Sequence, residues 1–192
     1  MDTSGLKKIV NANAAEICRL YQPSEQALQH LDADVGSETY LGRLLEDGLF
    51  ADAAAFLAQA LPNREATWWA CLCVRATLEE QPADRVLEAL NSAERWVYKP
   101  TEEHRRAAMG AAEASGFDNP AAWAGVAAFW SEGSMAPPDA PAVPAGPELN
   151  GRAVIGAVML AAVRQQPELA EQHYARFLEQ GLDVARGGSG RV

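Results

Sequence analysis

Few cysteines occur in this sequence, and their spacing argues against disulfides and structural zinc. The three are Cys18, Cys71 and Cys73, an odd number without the spacings of a disulfide framework or a zinc site. Cys71 and Cys73 are two positions apart in a predicted helix, so their side chains diverge by about 200° and cannot bridge. We therefore expect free thiols in the core and a reducing, cytoplasmic compartment.

Positive charge is also scarce. The chain has 16 Lys and Arg against 26 Asp and Glu, a formal net charge of -10. The acidic excess is spread along the whole chain, and no segment is basic. Because nucleic-acid binding depends on Lys and Arg neutralising phosphates, we predict no nucleic-acid partner. Binding to an anionic membrane surface is disfavoured for the same reason.

Long apolar runs are missing as well. The longest is Ala153–Val163, roughly half of the 20 or so residues that a membrane span needs. Residues 1–8 contain no apolar region of the kind found in a signal peptide. The sequence therefore predicts a cytoplasmic protein with no membrane span, in which 153–163 belongs to a buried helix.

Motifs for catalysis and metal binding are absent too. The histidines His30, His104 and His173 lack the spacing of a zinc protease or a di-iron bundle. No Gly-x-Ser-x-Gly turn and no phosphate-binding glycine loop occurs. We predict no catalytic residue, metal or cofactor; an enzyme with a dispersed site around His104 or His173 stays open as an alternative.

Helical patterns are abundant. Alanine is frequent, and apolar residues recur at helical spacing between breaks at Pro and Gly. The segments with this spacing are 9–21, 24–31, 37–47, 50–61, 63–80, 83–98, 101–115, 118–130, 150–165 and 167–180. The predicted N-caps are Ser37, Asn63, Thr101, Asp118 or Asn119, and Asn150. The first two segments are short or irregular, so we predict an all-α protein of about eight or nine helices.

The order of these helices suggests stacked antiparallel hairpins. Predicted starts near 63, 82, 101 and 118 pair into units of about 36–38 residues, close to α-solenoid repeat lengths. No repeat consensus accompanies them, so an orthogonal bundle is an equal alternative to a solenoid-like stack.

A proline-rich stretch suggests how the chain is divided. Met135–Pro147 contains five prolines and cannot continue a helix. We predict a main helical body over 1–130, a Pro-rich linker or strap over 131–149, a C-terminal helical hairpin over 150–187 and a flexible tail over 188–192. The hairpin is expected to pack on the body, since alone it could not bury its apolar residues.

Aromatic residues are the best candidates for a function. Trp68 and Trp69 are adjacent in one helix, about 100° apart, so one is expected to face outward. Exposed Trp and Tyr commonly anchor protein interfaces. The candidate interface residues are Trp68, Trp69, Trp96, Tyr98, Trp123 and Trp130.

Four segments in a fixed order carry a family resemblance. They are Trp68-Trp69-Ala70, the Pro-rich break, Ala153–Val163 and Phe177–Gly187. Over residues 37–187 the chain resembles a family of uncharacterised bacterial all-helical proteins, often encoded beside type VI secretion components. The resemblance brings no catalytic residues, and it implies a bacterial cytoplasmic accessory role, as adaptor or chaperone for a secreted protein.

The expected function is therefore a non-enzymatic protein-interaction module whose partner is another protein. Two alternatives belong to other classes. One is the enzyme with a dispersed site described above. The other is a carrier of a small apolar ligand, which requires a cavity between the Trp68–Trp69 helix and the helix over 151–165.

Overall fold

Ten α-helices and one short 3-10 helix make up the regular structure, and there is no strand. The computed structural model describes residues 1–192. The helices are α1 (Ala14–Cys18), α2 (Glu25–Leu28), α3 (Ser37–Glu46), α4 (Phe50–Ala60), α5 (Asn63–Ala76), α6 (Asp84–Tyr98), α7 (Glu102–Ser115), α8 (Pro120–Trp130), α9 (Leu149–Val163) and α10 (Ala170–Arg186). Eight of them span ten residues or more. The predicted all-α class is confirmed.

Two of the predicted N-caps form as expected. The Thr101 side chain accepts a hydrogen bond from the His104 amide at the start of α7. Asn119 accepts from the Ala122 amide at the start of α8, with Pro120 as the first helical residue. Each cap satisfies an amide that the first turn of a helix leaves without a partner.

Three predicted N-caps are wrong, and in each case the side chain bonds to a distant part of the chain. The Ser37 hydroxyl donates to the Asn11 carbonyl, and the Asn63 side chain donates to the Ser131 carbonyl. Asn150 lies inside α9, where its amide donates to Thr67 Oγ1 of α5 at 3.1 Å and to the Ala127 carbonyl of α8 at 2.8 Å. Ser37 and Asn63 are thus the first residues of α3 and α5 and not their caps, and all three side chains bond outside their own helix.

Helices α8 and α9 lie at the centre of the molecule. Helix α8 contacts α5, α6, α7 and α9, while α9 contacts α4, α5, α8 and α10. The packing is close: a Cβ built on Gly125 of α8 would lie 2.8 Å from the Ala108 carbonyl oxygen and 3.1 Å from the Ala112 Cβ of α7. In a solenoid each repeat contacts only its neighbours, so the contacts of α9 with α4 and α5 define a bundle.

One hydrophobic core runs through the chain, from Leu6 to Ala185. Helices on both sides of the Pro-rich segment contribute to it, because α9 packs against α4, α5 and α8 as well as α10. The segment that joins α8 to α9 therefore connects two parts of the same core.

A buried arginine holds the Pro-rich segment in place. The Arg105 side chain of α7 is fully buried, and its guanidinium lies 4.4 Å from the centre of the Phe129 ring. It donates to both carboxylate oxygens of Glu102, at 2.6 and 2.9 Å, and to the Phe129 and Ser134 carbonyls, at 2.5 and 2.7 Å. Four of the five N–H donors of the guanidinium thus have an acceptor, which makes burial of the charge tolerable.

The segment folds back on itself next to this arginine. The Met135 amide donates to the Val143 carbonyl at 2.8 Å, and Ser134 pairs with Pro144. The Arg106 guanidinium donates to the Ala136 carbonyl at 3.0 Å. Residues 131–147 therefore form a strap that α7 fixes in place through its arginines.

Bonding to these arginines also shifts the titration of Glu102. Hydrogen bonds from Arg105 first, and then from Arg106, lower the pKa of the Glu102 carboxyl from an ordinary 4.5 to about 2. Because the folded-state pKa is the lower one, the ionised carboxylate stabilises the fold above about pH 4.5. This contribution is lost as the pH falls toward about 2.

We expect Glu102→Gln to flatten the fall in unfolding free energy between about pH 4.5 and pH 2. The difference should be below about 1 kcal/mol, because the Glu102 side chain is 56% exposed and solvent screens its ion pairs. Urea unfolding at a series of pH values measures it. Glu103→Gln is the matched control, an adjacent exposed glutamate that forms no ion pair. If the unfolding free energy depended on pH equally in both variants, this dependence could not be assigned to Glu102.

Two glycines test the close packing of α8. Gly125→Ala places a methyl group against the Ala108 carbonyl, so we expect it to destabilise the protein by about 1–3 kcal/mol. Gly110→Ala on α7 meets no atom within 4 Å and should stabilise by about 0.5–1 kcal/mol. Urea unfolding of the two variants compares them, and a stabilising Gly125→Ala would refute the close approach of α7 and α8.

Candidate interaction surface

The six candidate aromatic residues differ sharply in exposure. Two are buried, three are half-buried and one is 63% exposed. In that order they are Trp69 and Trp96; Trp68, Trp123 and Trp130; and Tyr98.

The prediction of an interface role fails for Trp69 and Trp96, because both belong to the core. They are 0% and 2% exposed. The Trp69 indole N–H donates to the Phe177 carbonyl at 2.7 Å and so connects α5 to α10. A Cβ on Gly181 would lie 2.9 Å from the Trp69 ring, which shows how closely α10 covers it. These two tryptophans stabilise the fold and are not accessible to a partner.

Trp123 and Trp130 contribute only part of their rings to the surface. The Trp123 indole N–H donates to the Phe117 carbonyl at 3.0 Å, and its ring packs on Gly156 of α9. The Phe117 ring lies 6.2 Å away, tilted by 59°, and is 46% exposed. Trp130, the last residue of α8, packs against the core. Trp123 therefore mainly covers the contact between α8 and α9.

Trp68 and Tyr98 form an exposed pair where α5 begins and α6 ends. Their ring centres are 5.6 Å apart and their planes meet at 60°, an edge-to-face arrangement. The Arg64 side chain donates to the Val97 carbonyl at 2.7 Å and holds the end of α6 against the start of α5. We call Trp68 and Tyr98 the aromatic ledge. Their positions are fixed because two core helices carry them.

The C-terminal segment, residues 187–192, lies over the aromatic ledge. The Trp68 indole N–H donates to the Ser189 carbonyl at 2.8 Å. The Arg191 guanidinium sits 5.6 Å from the Trp68 ring centre and donates to Tyr98 Oη at 3.3 Å. Arg191 is thus a contact residue of the ledge that sequence reasoning missed, and no motif around it could have revealed this.

Residues 188–192, for which the sequence predicts a flexible tail, turn back onto the end of α10. Gly187 ends α10 in the left-handed conformation, with φ of +99°, and turns the chain back. Gly190 is buried, and its amide donates to Asp183 Oδ2 at 2.8 Å. Gly187 and Gly190 permit this tight turn of the chain onto α10, because glycine adopts a positive φ without strain.

The histidines bond to main-chain carbonyls or to a single acid. Nδ1 of His104 lies 2.8 Å from the Lys99 carbonyl oxygen, and Nδ1 of His173 lies 2.8 Å from that of Ala162. His30 pairs with Asp47 at 2.9 Å. His104 and His173 form no ion pair, and no cluster of three His, Cys, Asp or Glu side chains has the arrangement of a metal site. In both His104 and His173 the bonded Nδ1 thus faces a main-chain carbonyl and not another side chain.

A cleft of about 160 Å³ opens where α5 and α9 end and α6 and α8 begin. Val74, Leu78 and Val86 form part of its wall, together with Arg85 and Arg164. Only five of its 15 lining residues are hydrophobic. The apolar-carrier alternative requires a cavity between the Trp68–Trp69 helix and the helix over 151–165. This cleft lies at the C-terminal ends of those two helices, and its lining mixes apolar side chains with charged and amide ones.

The three thiols are inaccessible. Cys18, Cys71 and Cys73 are buried and unpaired. Burial raises the pKa of all three, most strongly for Cys71 and Cys73, which lie fully inside the bundle. A thiol with a raised pKa forms little of the reactive thiolate.

The geometry defines an all-α bundle with a single core and an aromatic surface site. None of its helices is both long and apolar enough to cross a membrane. The chain belongs to the family of unknown function DUF6931, whose sequence profile matches residues 40–185. This agrees with the resemblance to an uncharacterised family over 37–187. No curated protein and no solved structure matches the chain significantly.

We expect no thiol to react rapidly with Ellman's reagent in the native protein, and three to react after unfolding in guanidinium. The absorbance of the coloured thiolate that the reagent releases gives the number of reactive thiols in the native and in the unfolded protein. Cys71→Ser, which leaves two thiols, calibrates the count. Rapid reaction of one thiol in the native protein would contradict the buried positions.

Proposed function

We propose that this protein is a non-enzymatic protein-interaction module that binds a partner protein through the aromatic ledge. The observation that carries the proposal is Tyr98, a large ring 63% exposed that packs edge-to-face against half-buried Trp68. Leaving such rings in contact with water is costly, and interface hot spots are enriched in Trp and Tyr.

The surroundings of the ledge suit recognition. Lys8, Arg64 and Glu65 lie next to Trp68 and Val97 around a shallow depression. A polar rim around a small aromatic centre is the common arrangement of protein interfaces. The two rings are rigid, so their ordering costs a binding partner little conformational entropy.

The net charge of -10 favours a partner with a basic or apolar patch. An excess of negative charge speeds the encounter with a basic protein and disfavours an acidic one.

The finer role that we propose is that of a bacterial cytoplasmic adaptor or chaperone-like accessory of a secretion system. The resemblance to proteins encoded beside type VI secretion components supports this role. It predicts that genes for secretion components lie beside the gene of this chain, and a neighbourhood without them would count against it.

The ledge is tested by Tyr98→Ala. We expect this variant to lose a partner that the wild-type protein captures from its source cells, and to bind the purified partner at least about tenfold more weakly, as is typical for a hot-spot residue. Quantitative mass spectrometry of the captured proteins and titration calorimetry measure the two effects.

Phe117→Ala is the matched control, because Phe117 is also an exposed ring but lies beside Trp123. It should leave partner binding unchanged. Since Tyr98 is exposed, we expect Tyr98→Ala to change the unfolding free energy by less than about 1 kcal/mol. A partner that is captured equally by both variants would refute binding through the ledge.

A further inference from the structure

The aromatic ledge already holds an occupant, namely the chain's own C-terminal segment. Three consecutive residues each meet a separate feature of the site. The Ser189 carbonyl accepts from the Trp68 indole at 2.8 Å, Gly190 is buried, and the Arg191 guanidinium lies over the Trp68 ring and bonds to Tyr98 Oη.

These contacts define the chemistry that the site selects. The indole N–H of Trp68 takes a hydrogen-bond acceptor, which here is the main-chain carbonyl of Ser189. The next position requires glycine, because a Cβ on Gly190 would clash with Leu72 and Val184 and because its φ is +72°. The position after it places a cation over an aromatic ring beside a phenolic oxygen. A planar guanidinium satisfies both contacts, since it stacks on the ring while an N–H donates to the oxygen.

The occupant is held by few contacts. Gly187, Gly188, Ser189, Arg191 and Val192 are exposed, and only Gly190 is buried. Arg191 forms no ion pair, and its contacts to the ledge are at 3.3 and 5.6 Å. The Gly190 amide also donates to Asp183 Oδ2 at 2.8 Å, and none of the bonds of Ser189, Gly190 or Arg191 belongs to the hydrogen-bond ladder of a helix.

We propose that the aromatic ledge is a binding site for an extended peptide with a Gly-Arg pair, and that residues 187–192 occupy it as an internal competitor. This inference rests on the proposed function and specifies its partner: a flexible, basic segment of another protein that displaces the C-terminal segment. The net charge of -10 of the whole chain favours the approach of such a segment over that of an acidic one.

The test uses the full-length protein with its own segment displaced. Gly190→Val introduces a side chain that meets Leu72 and Val184 at a strained φ, so the segment should leave the ledge. The probe is a fluorescent peptide, Gly-Gly-Ser-Gly-Arg-Val, and fluorescence anisotropy measures its binding. We expect the variant to bind it at least about tenfold more tightly than the wild-type protein, whose tethered segment competes at high effective concentration.

Two changes, one in the peptide and one in the protein, test which contacts hold the peptide on the ledge. The same peptide with alanine in place of arginine should bind Gly190→Val at least about tenfold more weakly, because it lacks the cation over Trp68. The double variant Gly190→Val/Tyr98→Ala should likewise bind the original peptide weakly. Equal binding of both peptides, or full binding by the double variant, would overturn the proposal.

Arg191→Ala provides a second way to open the site without placing a new group in the packed position of Gly190. It should bind the peptide more tightly than the wild-type protein does. Thermal unfolding confirms that both variants are folded, and the indole N–H resonance of Trp68 reports whether the site has opened. A folded variant with a shifted Trp68 resonance and no peptide binding would overturn the proposal.

Failure of the peptide specificity can be distinguished from failure of the proposed function. A partner that requires Tyr98 but that the peptide does not displace would refute the peptide specificity and leave the ledge as an interface. Displacement of the partner by the Gly-Arg peptide, and not by its alanine version, supports both.

Discussion

Helix α8 can contact four other helices only because most of its surface is alanine and glycine. Small side chains let the helix axes approach closely, so that Gly125 meets the backbone of α7 directly. The same constraint places α9 against α8, α5 and α4. With these helices fixed, the start of α5 lies beside the end of α6. The ring centres of Trp68 and Tyr98 are 5.6 Å apart at that point. The surface site thus depends on packing that lies well beneath it.

A few polar contacts give this packing its register. Helix surfaces made of alanine have few protruding side chains and by themselves let one helix slide along another. Asn150 removes that freedom by bonding α9 to Thr67 of α5 and to the Ala127 carbonyl of α8. Arg105 acts similarly on the strap, because its guanidinium connects Glu102, the Phe129 carbonyl and the Ser134 carbonyl. Buried polar groups of this kind are costly to leave unpaired, so they select one arrangement among several of similar apolar burial.

The helices could be predicted from the sequence because apolar spacing and breaks at Pro and Gly are local signals, and Thr101 and Asn119 act locally as caps. Ser37, Asn63 and Asn150 could not be interpreted in this way, since their partners lie at least 23 positions away in the sequence. Contacts between residues far apart in the sequence also limited what could be predicted of the aromatic ledge. One of Trp68 and Trp69 was expected to face outward, but α5 is apolar around most of its surface, and only the position of α10 decides which one. The contact of Arg191 with Tyr98 joins residues 93 positions apart and leaves no local signal.

The central position of α9 has a consequence for synthesis of the protein on the ribosome. Helices α4 to α8 precede α9 in the chain, yet the face of α8 that α9 covers stays open until residue 163 has emerged. At about 5–20 residues per second, the interval between the end of α8 and the end of α9 lasts on the order of several seconds. During that time the nascent chain exposes an alanine-rich apolar surface. The bonds of the strap to α7 involve no residue of α9, so they can form during this interval and keep the chain that follows close to that surface.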